Sequence, residues 1–485
     1  MERLLTAISD GSTGKWSFQK LEALLWFLCL ETFRWLMEEI LFLLDRYLLA
    51  TRDRRRYKHK ELQERSLTTL VGEIRFKRRY YLDIETGKYV YLLDEWLGLP
   101  PYEQTSPGAE EAAVLWATKG TSYRDARDRL KEFYGYQVLS HETIRRRLLQ
   151  TAARLKGLLE QEAEGTGLRR RGALFIEADS FWVSIQKRAR KRGGKKKREI
   201  KLAVAHEGWE VRQGKKRPDY NLSECAYYIE SQEKGSEAFW EKVRAGLEGR
   251  YRDIDKTLVV INGDDASWIR AGTEHFGRSI YQYDRFHITR DLRQALRGIN
   301  ERWQRVKRAL DENNIPVIQQ EIEAALREAG TEKQKERLLN LRERLARVGE
   351  FVVDYRVRLK EAGYDVPPAW RGLGAGEANV DKFKNRVAKR GRSWSDDGID
   401  GILICLKAYF EGWLVPLGIY RPSEADAETA SIIDKTPEGA GRCLIKRAAQ
   451  SIATGVKRGH FPALDRGTDG FAAVFRELIQ IPSVV

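Results

Sequence analysis

Two short apolar runs, each ending in an aspartate, constrain the fold of this chain more than any other feature. They read LFIEAD, ending at Asp179, and LVVINGD, ending at Asp264. Their length and their β-branched and aromatic content are typical of buried strands in a central sheet. Catalytic groups of α/β folds collect at the edge where such strands end. We therefore expect Asp179 and Asp264 to converge on divalent metal ions such as Mg2+, which prefers oxygen ligands.

The charge balance indicates the kind of partner. The 485 residues include 87 Lys and Arg against 71 Asp and Glu, a net charge of +16. An excess of this size favours a polyanion, with nucleic acid preferred over a membrane surface, although a merely soluble basic protein remains the alternative. An acidic centre within a basic surface favours an enzyme that cuts or joins nucleic acid, because two-metal sites catalyse phosphodiester chemistry. No small-molecule substrate is expected.

The remaining composition predicts a cytoplasmic, nucleoid-associated protein. The four cysteines form no CxxC pair, which fits a reducing compartment and argues against a zinc ribbon. The start of the chain does not resemble a secretory signal. The most apolar stretch, residues 24–30, is flanked by glutamates and is too short to cross a membrane. We interpret it as part of a packed or oligomerising helix over 17–50.

The N-terminal half is expected to form three domains. A hairpin is predicted from residues 74–82 and 89–93, and three short helices from residues 109–150. The predicted domains are an N-terminal helix with a basic segment (1–60), a β-hairpin unit (61–100) and a helix-turn-helix-like DNA-binding domain (101–165).

The third of these helices is the candidate DNA reader. It follows a tight turn at Gly135, and Arg145, Arg146 and Arg147 lie in its first turns, the part that enters a major groove. Trihelical units are common, so an ordinary helical domain is the alternative.

From residue 166 the pattern changes to strands and helices. Strands are predicted at 173–185, 199–207, 226–231, 256–264 and 278–284, with a helix at 235–248 between the third and fourth. Residues 287–365 are wholly helical in pattern. The predicted domains are the first part of an RNase H-like catalytic core (166–286), an all-α insertion (287–370), the second part of the core (371–412) and a C-terminal helical region (413–485).

A strongly basic run separates the first two of these strands. Because such a run cannot pack internally, it is predicted to form an exposed hairpin tip, and its positive charge is expected to bind DNA phosphates. The candidate contacts are Lys187, Arg188, Arg190, Lys191, Arg192, Lys195, Lys196 and Lys197.

A third acid is required to complete an RNase H-like plan. Glu377 follows a glycine-rich segment at the start of a predicted helix, a position from which it can project towards the sheet edge. The fold class predicted from these elements is multidomain α+β, with a mixed-sheet core interrupted by the helical insertion.

An ordered set of motifs resembles a known family. It includes EAD (177–179), GDDASWI (263–269), DRFH (284–287), Glu377 and RSWS (392–395), together with TLVGE (69–73) and RRYY (78–81) upstream. Over roughly residues 50–400 the chain resembles the bacterial insertion-sequence transposases of the DDE class, specifically the ISLre-type group related to Mutator-like elements.

The resemblance implies a function and a site. It implies Asp179, Asp264 and Glu377 as a triad that holds two Mg2+ ions, with Mn2+ able to substitute. Asp284 and His287 match the [C/D]xxH motif of the broader group and would support the site. The implied activity is cleavage and strand transfer of double-stranded DNA, at element terminal repeats and at target DNA, by a homo-oligomer.

Several alternatives remain open at the level of sequence. Asp265 stands where the family usually has glycine, so either member of the pair Asp264 and Asp265 can be the ligand. Glu177 is either a fourth acid or a buried partner of a basic residue. His287 is either a helix-packing residue or adjacent to metal. Trp394 is either a core residue or a holder of a flipped base. A catalytically inactive DNA-binding derivative and an RNase H-like nuclease without strand transfer are the competing functions.

Overall fold

The chain forms two compact units in a computed structural model. The structure describes residues 17–163, 167, 169–186, 196–213, 218–232, 235–298, 300–389 and 391–414. Of these, residues 17–151 and 412–414 belong to one unit, and those from 152 to 411 belong to the other. Among the described residues, no helix combines the length and the apolar character needed to span a bilayer.

The first unit contains a long helix, a three-stranded sheet and a group of shorter helices. Its elements are α1 (Phe18–Thr51), β1 (Tyr57–Thr69), β2 (Gly72–Asp83), β3 (Tyr89–Val90), α2 (Leu92–Trp96), α3 (Pro107–Lys119), α4 (Tyr123–Tyr134) and α5 (His141–Ala163), whose last residues belong to the second unit.

The hairpin of this unit differs from the sequence prediction. The main partner of β2 is β1, which pairs with it from Tyr57 and Asp83 to Thr69 and Gly72. The predicted return strand is reduced to β3, which pairs with β2 at only two positions. No strand is predicted from the sequence at the start of β1, whose first residues fall within the span assigned to the N-terminal helix and basic segment (1–60). The first half of β1 is exposed, so it lacks the apolar alternation by which strands are recognised.

The three helices predicted over 109–150 are present as α3, α4 and α5. Ser122 caps α4 by accepting a hydrogen bond from the backbone N–H of Asp125 at 3.0 Å. Gly135 ends the helix in the left-handed conformation, with φ of 79°. That conformation favours glycine, since it has no Cβ to clash.

The second unit contains a mixed sheet and a series of helices. Its first elements are β4 (Ala173–Ile185), β5 (Lys197–His206), β6 (Trp209–Arg212), β7 (Asp219–Leu222), β8 (Ala226–Glu230), α6 (Ser236–Glu248), β9 (Leu258–Gly263), α7 (Ser267–Arg270) and β10 (Ser279–Tyr283). The helical segment consists of α8 (Arg285–Ala295), α9 (Asn300–Asp311), α10 (Ile315–Glu328), α11 (Glu332–Val352) and α12 (Tyr355–Glu361). The last elements are α13 (Gly376–Val387), β11 (Ser393–Trp394) and α14 (Asp396–Glu411).

The main sheet has the order β10-β9-β4-β5-β8. β4, β5 and β8 pair in antiparallel fashion, whereas β9 pairs in parallel with β4 and β10 in parallel with β9. The short β11 also pairs in parallel with β4, near its end. The predicted strands are therefore present, and the predicted mixed sheet is confirmed. The small antiparallel pair β6 and β7 was not predicted.

Helices cover both faces of this sheet. Leu174, Ile176 and Ala178 of β4 pack with buried residues of α6 in a large core that extends into the helical segment. Phe175, on the opposite face, packs with Tyr355 and Leu359 of α12. Because side chains alternate along a strand, residues 177 and 179 belong to the same face as Phe175.

The end of β9 lies so close to β4 that only glycine fits at position 263. A Cβ there would lie 2.7 Å from the backbone carbonyl oxygen of Ala178 and 2.7 Å from Ile269. The backbone cannot yield cheaply, so the strand end would be pushed away from β4.

We therefore predict that Gly263→Ala destabilises the protein by about 1–3 kcal/mol, as overpacking typically does. Gly172→Ala is the matched control, since a Cβ there meets nothing within 4 Å. Urea denaturation of the full-length variants measures both effects. Equal stability of the two variants would contradict this account of the close approach.

Candidate functional site

The pairing of β4 with β9 brings the two predicted aspartates to one edge. Glu177 is opposite Asn262 in the last regular pair of this ladder. Asp179 lies two residues after Glu177 on β4, and Asp264 lies two residues after Asn262, just beyond the end of β9. If the register is continued by two residues, Asp179 and Asp264 lie side by side. Asp264 is held by its own loop, where its carboxylate accepts a hydrogen bond from the backbone N–H of Ala266 at 3.0 Å.

Helices α8 and α13 bring three more side chains to this edge. Asp284 caps α8, accepting a hydrogen bond from the N–H of Phe286 at 2.8 Å, and His287 lies in the first turn. Glu377 lies in the first turn of α13. The ligand atoms of Asp179, His287 and Glu377 all lie within 4.8 Å of one another. The structure thus brings together two acids of the predicted triad, with His287 as the third close group.

The acids at this edge are crowded. Burial, together with the negative charges of Asp264 and Glu377, raises the pKa of the Asp179 carboxyl to about 6. A hydrogen bond from the N–H of Ser180 and the proximity of His287 oppose this rise. Burial also raises the pKa of Asp284, which Glu377 affects in the same direction. A cation at the edge would relieve this repulsion.

The donor set fits a divalent cation. Two carboxylates and one imidazole suit Mn2+ and related ions, and carboxylates also suit Mg2+. The Nδ1 atom of His287 is buried and makes no hydrogen bond with the described residues. It lies 3.6 Å from a carboxylate oxygen of Asp284, close enough for attraction. The residues that would hold an ion are Asp179, His287 and Glu377, with Asp264 adjacent.

The neighbouring Asp265 has a different environment from Asp264. It forms an ion pair with Arg347 of α11, and Arg270 lies 3.9 Å from its other oxygen. Because its charge is already matched by arginines, the geometry favours Asp264 over Asp265 as the member of the pair that faces the acidic edge.

Glu177 has partners that the sequence did not indicate. Its side chain is 2% exposed. One carboxylate oxygen accepts hydrogen bonds from Asn262 and from the backbone N–H groups of Gly374 and Gly376. The sequence leaves open a fourth acid of the site or a buried partner of a basic residue. The hydrogen-bond donors to Glu177 are an amide side chain and two backbone amides, which no sequence motif marks, and its other carboxylate oxygen lies 3.6 Å from Nε2 of the buried His206.

The three candidate base-reading arginines lie in the first turns of α5, but they differ in exposure. Arg146 is exposed, and Arg145 is 3.3 Å from Glu142. Arg147 is 8% exposed and forms an ion pair with Glu103. Arg147 is therefore occupied within the first unit, which leaves Arg146 as the most accessible of the three.

The remaining DNA-binding candidates fall into two groups. Trp394 is 6% exposed, and its indole N–H donates to the carbonyl of Val387 at 2.8 Å, so it is a core residue in this structure rather than a free stacking surface. Lys196 and Lys197 are exposed at the start of β5. The other basic-tip candidates lie outside the described residues, namely Lys187, Arg188, Arg190, Lys191, Arg192 and Lys195.

Comparisons with known proteins identify similar chains. The family model described as "Uncharacterised protein family (UPF0236)" matches residues 12–418. UPF0236 protein TTE2489 of Caldanaerobacter subterraneus is 26% identical over 306 residues, which cover 62% of this chain and 61% of that protein. Another protein of that organism, whose name joins eleven locus designations, is 27% identical over 306 residues, covering 62% of this chain and 60% of its own.

A relative from a different organism extends the match. The UPF0236 protein in vanSb 3'region of Streptococcus gallolyticus is 25% identical over 368 residues, covering 72% of this chain and 74% of that protein. The match to the first relative spans about three fifths of that protein's length.

The raised pKa of Asp179 gives a pH-dependent prediction. A metal competes with the proton on this carboxyl, so Mn2+ affinity should rise with pH until the group is ionised above about pH 6. Below that pH the affinity should fall about tenfold per unit, because each binding event displaces a proton. Isothermal titration calorimetry between pH 5 and pH 8 measures this dependence.

In the metal-free protein, stability should change with pH in the opposite direction to the metal affinity. Its folded state holds the Asp179 proton more tightly than the unfolded chain does, so this group's contribution to stability falls as pH rises from about 4 to about 6. Asp179→Asn is the control, since it removes this titrating group and should remove the part of each dependence that Asp179 contributes. Mn2+ affinity that is unchanged between pH 5 and pH 7 would contradict the prediction.

Proposed function

We propose that this chain, which belongs to the uncharacterised protein family UPF0236, is the transposase of a bacterial insertion sequence, a metal-dependent enzyme that cleaves and rejoins DNA. The observation that carries the proposal is the convergence of Asp179, His287 and Glu377 within 4.8 Å at one sheet edge, beside Asp264. These acids come from segments far apart in sequence.

The topology of the sheet supports an RNase H-like assignment. Its first three strands form an antiparallel meander, and the next two lie parallel on the other side of the first. Numbered in the order in which they occur along the chain, the five strands lie in the sheet as 3-2-1-4-5, the order expected if the core is RNase H-like. In the sequence, the helices α8 to α12 come between β10, the fifth strand, and α13, as expected for an all-α insertion before Glu377.

The chain's own residues perform distinct tasks in this proposal. Asp179, His287 and Glu377 would hold the metal, and Asp264 would add a further carboxylate beside Asp179. Asp284 attracts the imidazole of His287 from its Nδ1 side, which orients the ring. Divalent cations such as Mg2+ or Mn2+, when bound, would supply activation of the attacking oxygen and stabilisation of the leaving 3′ oxygen. Cationic residues elsewhere on this chain of net charge +16 would hold DNA phosphates.

The naming of the relatives also supports a mobile element. One relative's name joins eleven locus designations in one genome, and another's joins four. A single protein name shared by many loci is what repeated insertion of the same element would produce.

Two other functions would use the same fold. An inactive DNA-binding derivative does not require a set of converging acids, so the intact site argues against it. A nuclease that cuts without rejoining shares the site, and only a strand-transfer assay separates it from a transposase. That the protein forms a homo-oligomer also stays a prediction. It is consistent with α1, which exposes several large apolar side chains in this chain, including Trp35 and Leu43.

Our catalytic prediction concerns three aspartates. Asp179→Ala should abolish Mg2+- or Mn2+-dependent cleavage of terminal-repeat DNA while leaving DNA binding nearly intact, because it removes a metal ligand without removing a cationic contact. Asp264→Asn should have the same effect. Asp265→Asn is the matched control and should only weaken activity, since its charge is paired with Arg347.

The assay should follow both cleavage and joining of a labelled repeat end to a target plasmid. Substantial cleavage by a folded Asp179→Ala protein would refute the metal site. Cleavage without joining by the wild-type protein would favour the nuclease.

Our recognition prediction separates two neighbouring arginines of α5. Arg146→Ala should cost about 1–3 kcal/mol in binding to the terminal repeat and relax specificity there, as expected for a base contact. Arg147→Ala should instead lower the stability of the first unit, because it breaks the ion pair with Glu103.

Binding of full-length variants to the repeat and to random duplex, with thermal unfolding in parallel, measures both effects. An equal loss on both DNAs for Arg146→Ala would make it a phosphate contact instead of a base reader.

A further inference from the structure

Glu177 connects β4 to the segment that precedes α13. The residue lies near the middle of β4 and is 2% exposed. Its Oε2 atom accepts hydrogen bonds from the N–H of Gly374 at 3.0 Å, from the N–H of Gly376 at 2.9 Å and from the side-chain amide of Asn262 at 3.2 Å. Hydrogen bonds to an ionised acceptor are stronger than those between neutral groups.

The start of α13 lacks a cap from its own sequence. Ala375 occupies the N-cap position and has no side chain that can accept a hydrogen bond, and Gly376 is the first helical residue. The first N–H groups of a helix have no partner within the helix, and negative charge is favourable near them. Glu177, about 200 residues earlier in the chain, supplies both the acceptor and the charge.

The approach to the helix is built around the same contact. Gly374 has φ of +155°, a conformation that residues with a side chain rarely adopt. The N–H groups of Gly374 and Gly376 both point to Oε2 of Glu177. The backbone here thus forms a small anion-binding site. At Gly376 the nearest atoms to an added Cβ belong to Glu177, at 3.6 Å. The contact therefore fixes the residue immediately before Glu377.

We infer that Glu177 is a positioning residue, which anchors the N-terminus of α13 to β4 and thereby sets Glu377 opposite Asp179. Asp179 lies two residues further along β4 on the same face, so one strand carries one ligand and fixes the helix that carries another. The inference rests on the proposed metal site. It adds a specific role for a carboxylate that does not itself bind the ion.

The alternative role, as a fourth metal ligand, has less support. Oε2 is occupied by three donors, and the close ligand set among the described residues contains Asp179, His287 and Glu377 but not Glu177. The other oxygen, Oε1, lies 3.6 Å from Nε2 of the fully buried His206. One oxygen of Glu177 thus contacts Asn262 and the backbone of residues 374–376, and the other lies near His206 of the sheet.

The test uses two substitutions in the full-length protein. Glu177→Leu removes every acceptor at similar size, and Glu177→Gln keeps one neutral acceptor oxygen. Glu230→Leu and Glu230→Gln are the controls, because Glu230 is a 7% exposed glutamate of β8 in the same sheet whose carboxylate accepts the N–H of Gln232. Hydrogen exchange of peptides covering residues 371–387, Mn2+ affinity and thermal unfolding are measured for each variant.

We expect Glu177→Leu to speed exchange at the start of α13 by about tenfold or more, the scale for losing hydrogen bonds to a charged group. We expect it to weaken Mn2+ binding by about 10–100-fold, as removal of a residue that supports a metal ligand typically does. Glu177→Gln should recover part of both losses. The Glu230 variants should alter neither quantity, even where they lower the unfolding temperature.

The readouts separate the failure of this inference from the failure of the proposed function. Unchanged exchange at residues 371–387 in both Glu177 variants overturns the anchoring role, whether or not the protein binds metal. Faster exchange with unchanged Mn2+ affinity overturns the positioning of Glu377. If the wild-type protein binds no Mn2+, the proposed function fails, and the positioning role towards the metal fails with it.

Discussion

Parallel backbone pairing between β4 and β9, from Ala173 with Leu258 to Glu177 with Asn262, determines the geometry of the acidic edge in the second unit. It places the middle of β4 beside the end of β9, so that Asp179 and Asp264, just beyond the ladder, become neighbours. The glycine at the end of β9 allows the approach, because any side chain there would meet the backbone of β4. A slip of one residue would turn Asp179 to the opposite face of the sheet.

The acidic edge produced by this pairing is electrostatically costly in the absence of a cation. Burial and neighbouring charges both raise the pKa of Asp179, and the same two causes raise the pKa of Asp284. A structure selected only for stability would not collect carboxylates in this manner, since like charges repel strongly when partly buried. Perturbed acids that converge from distant segments are typical of functional sites. A cation bound at this edge, as the proposed function requires, would relieve the repulsion and stabilise the arrangement.

The sequence predicted those parts of the fold and site that depend on local pattern. The strands β4 and β9 were predicted because apolar runs indicate burial, Asp179 because it ends one such run, and Glu377 because it stands at the start of a predicted helix. The sequence could not predict β1, whose first half is charged and exposed, or the burial of Arg147 against Glu103. The closeness of His287 to the two acids and the anchoring role of Glu177 arise from tertiary contacts between distant segments. Such contacts leave no periodic signal.

The most direct test of the central claim is anomalous diffraction from crystals of the protein grown with Mn2+. We predict a manganese peak bound by carboxylate oxygens of Asp179 and Glu377 and by a ring nitrogen of His287, at about 2.0–2.3 Å, within the ordinary range for such ligands. The same experiment on Asp179→Asn should show the peak lost or strongly reduced. A protein that orders these three side chains as described but places no manganese among them would contradict the claim that this edge of the sheet is a metal centre.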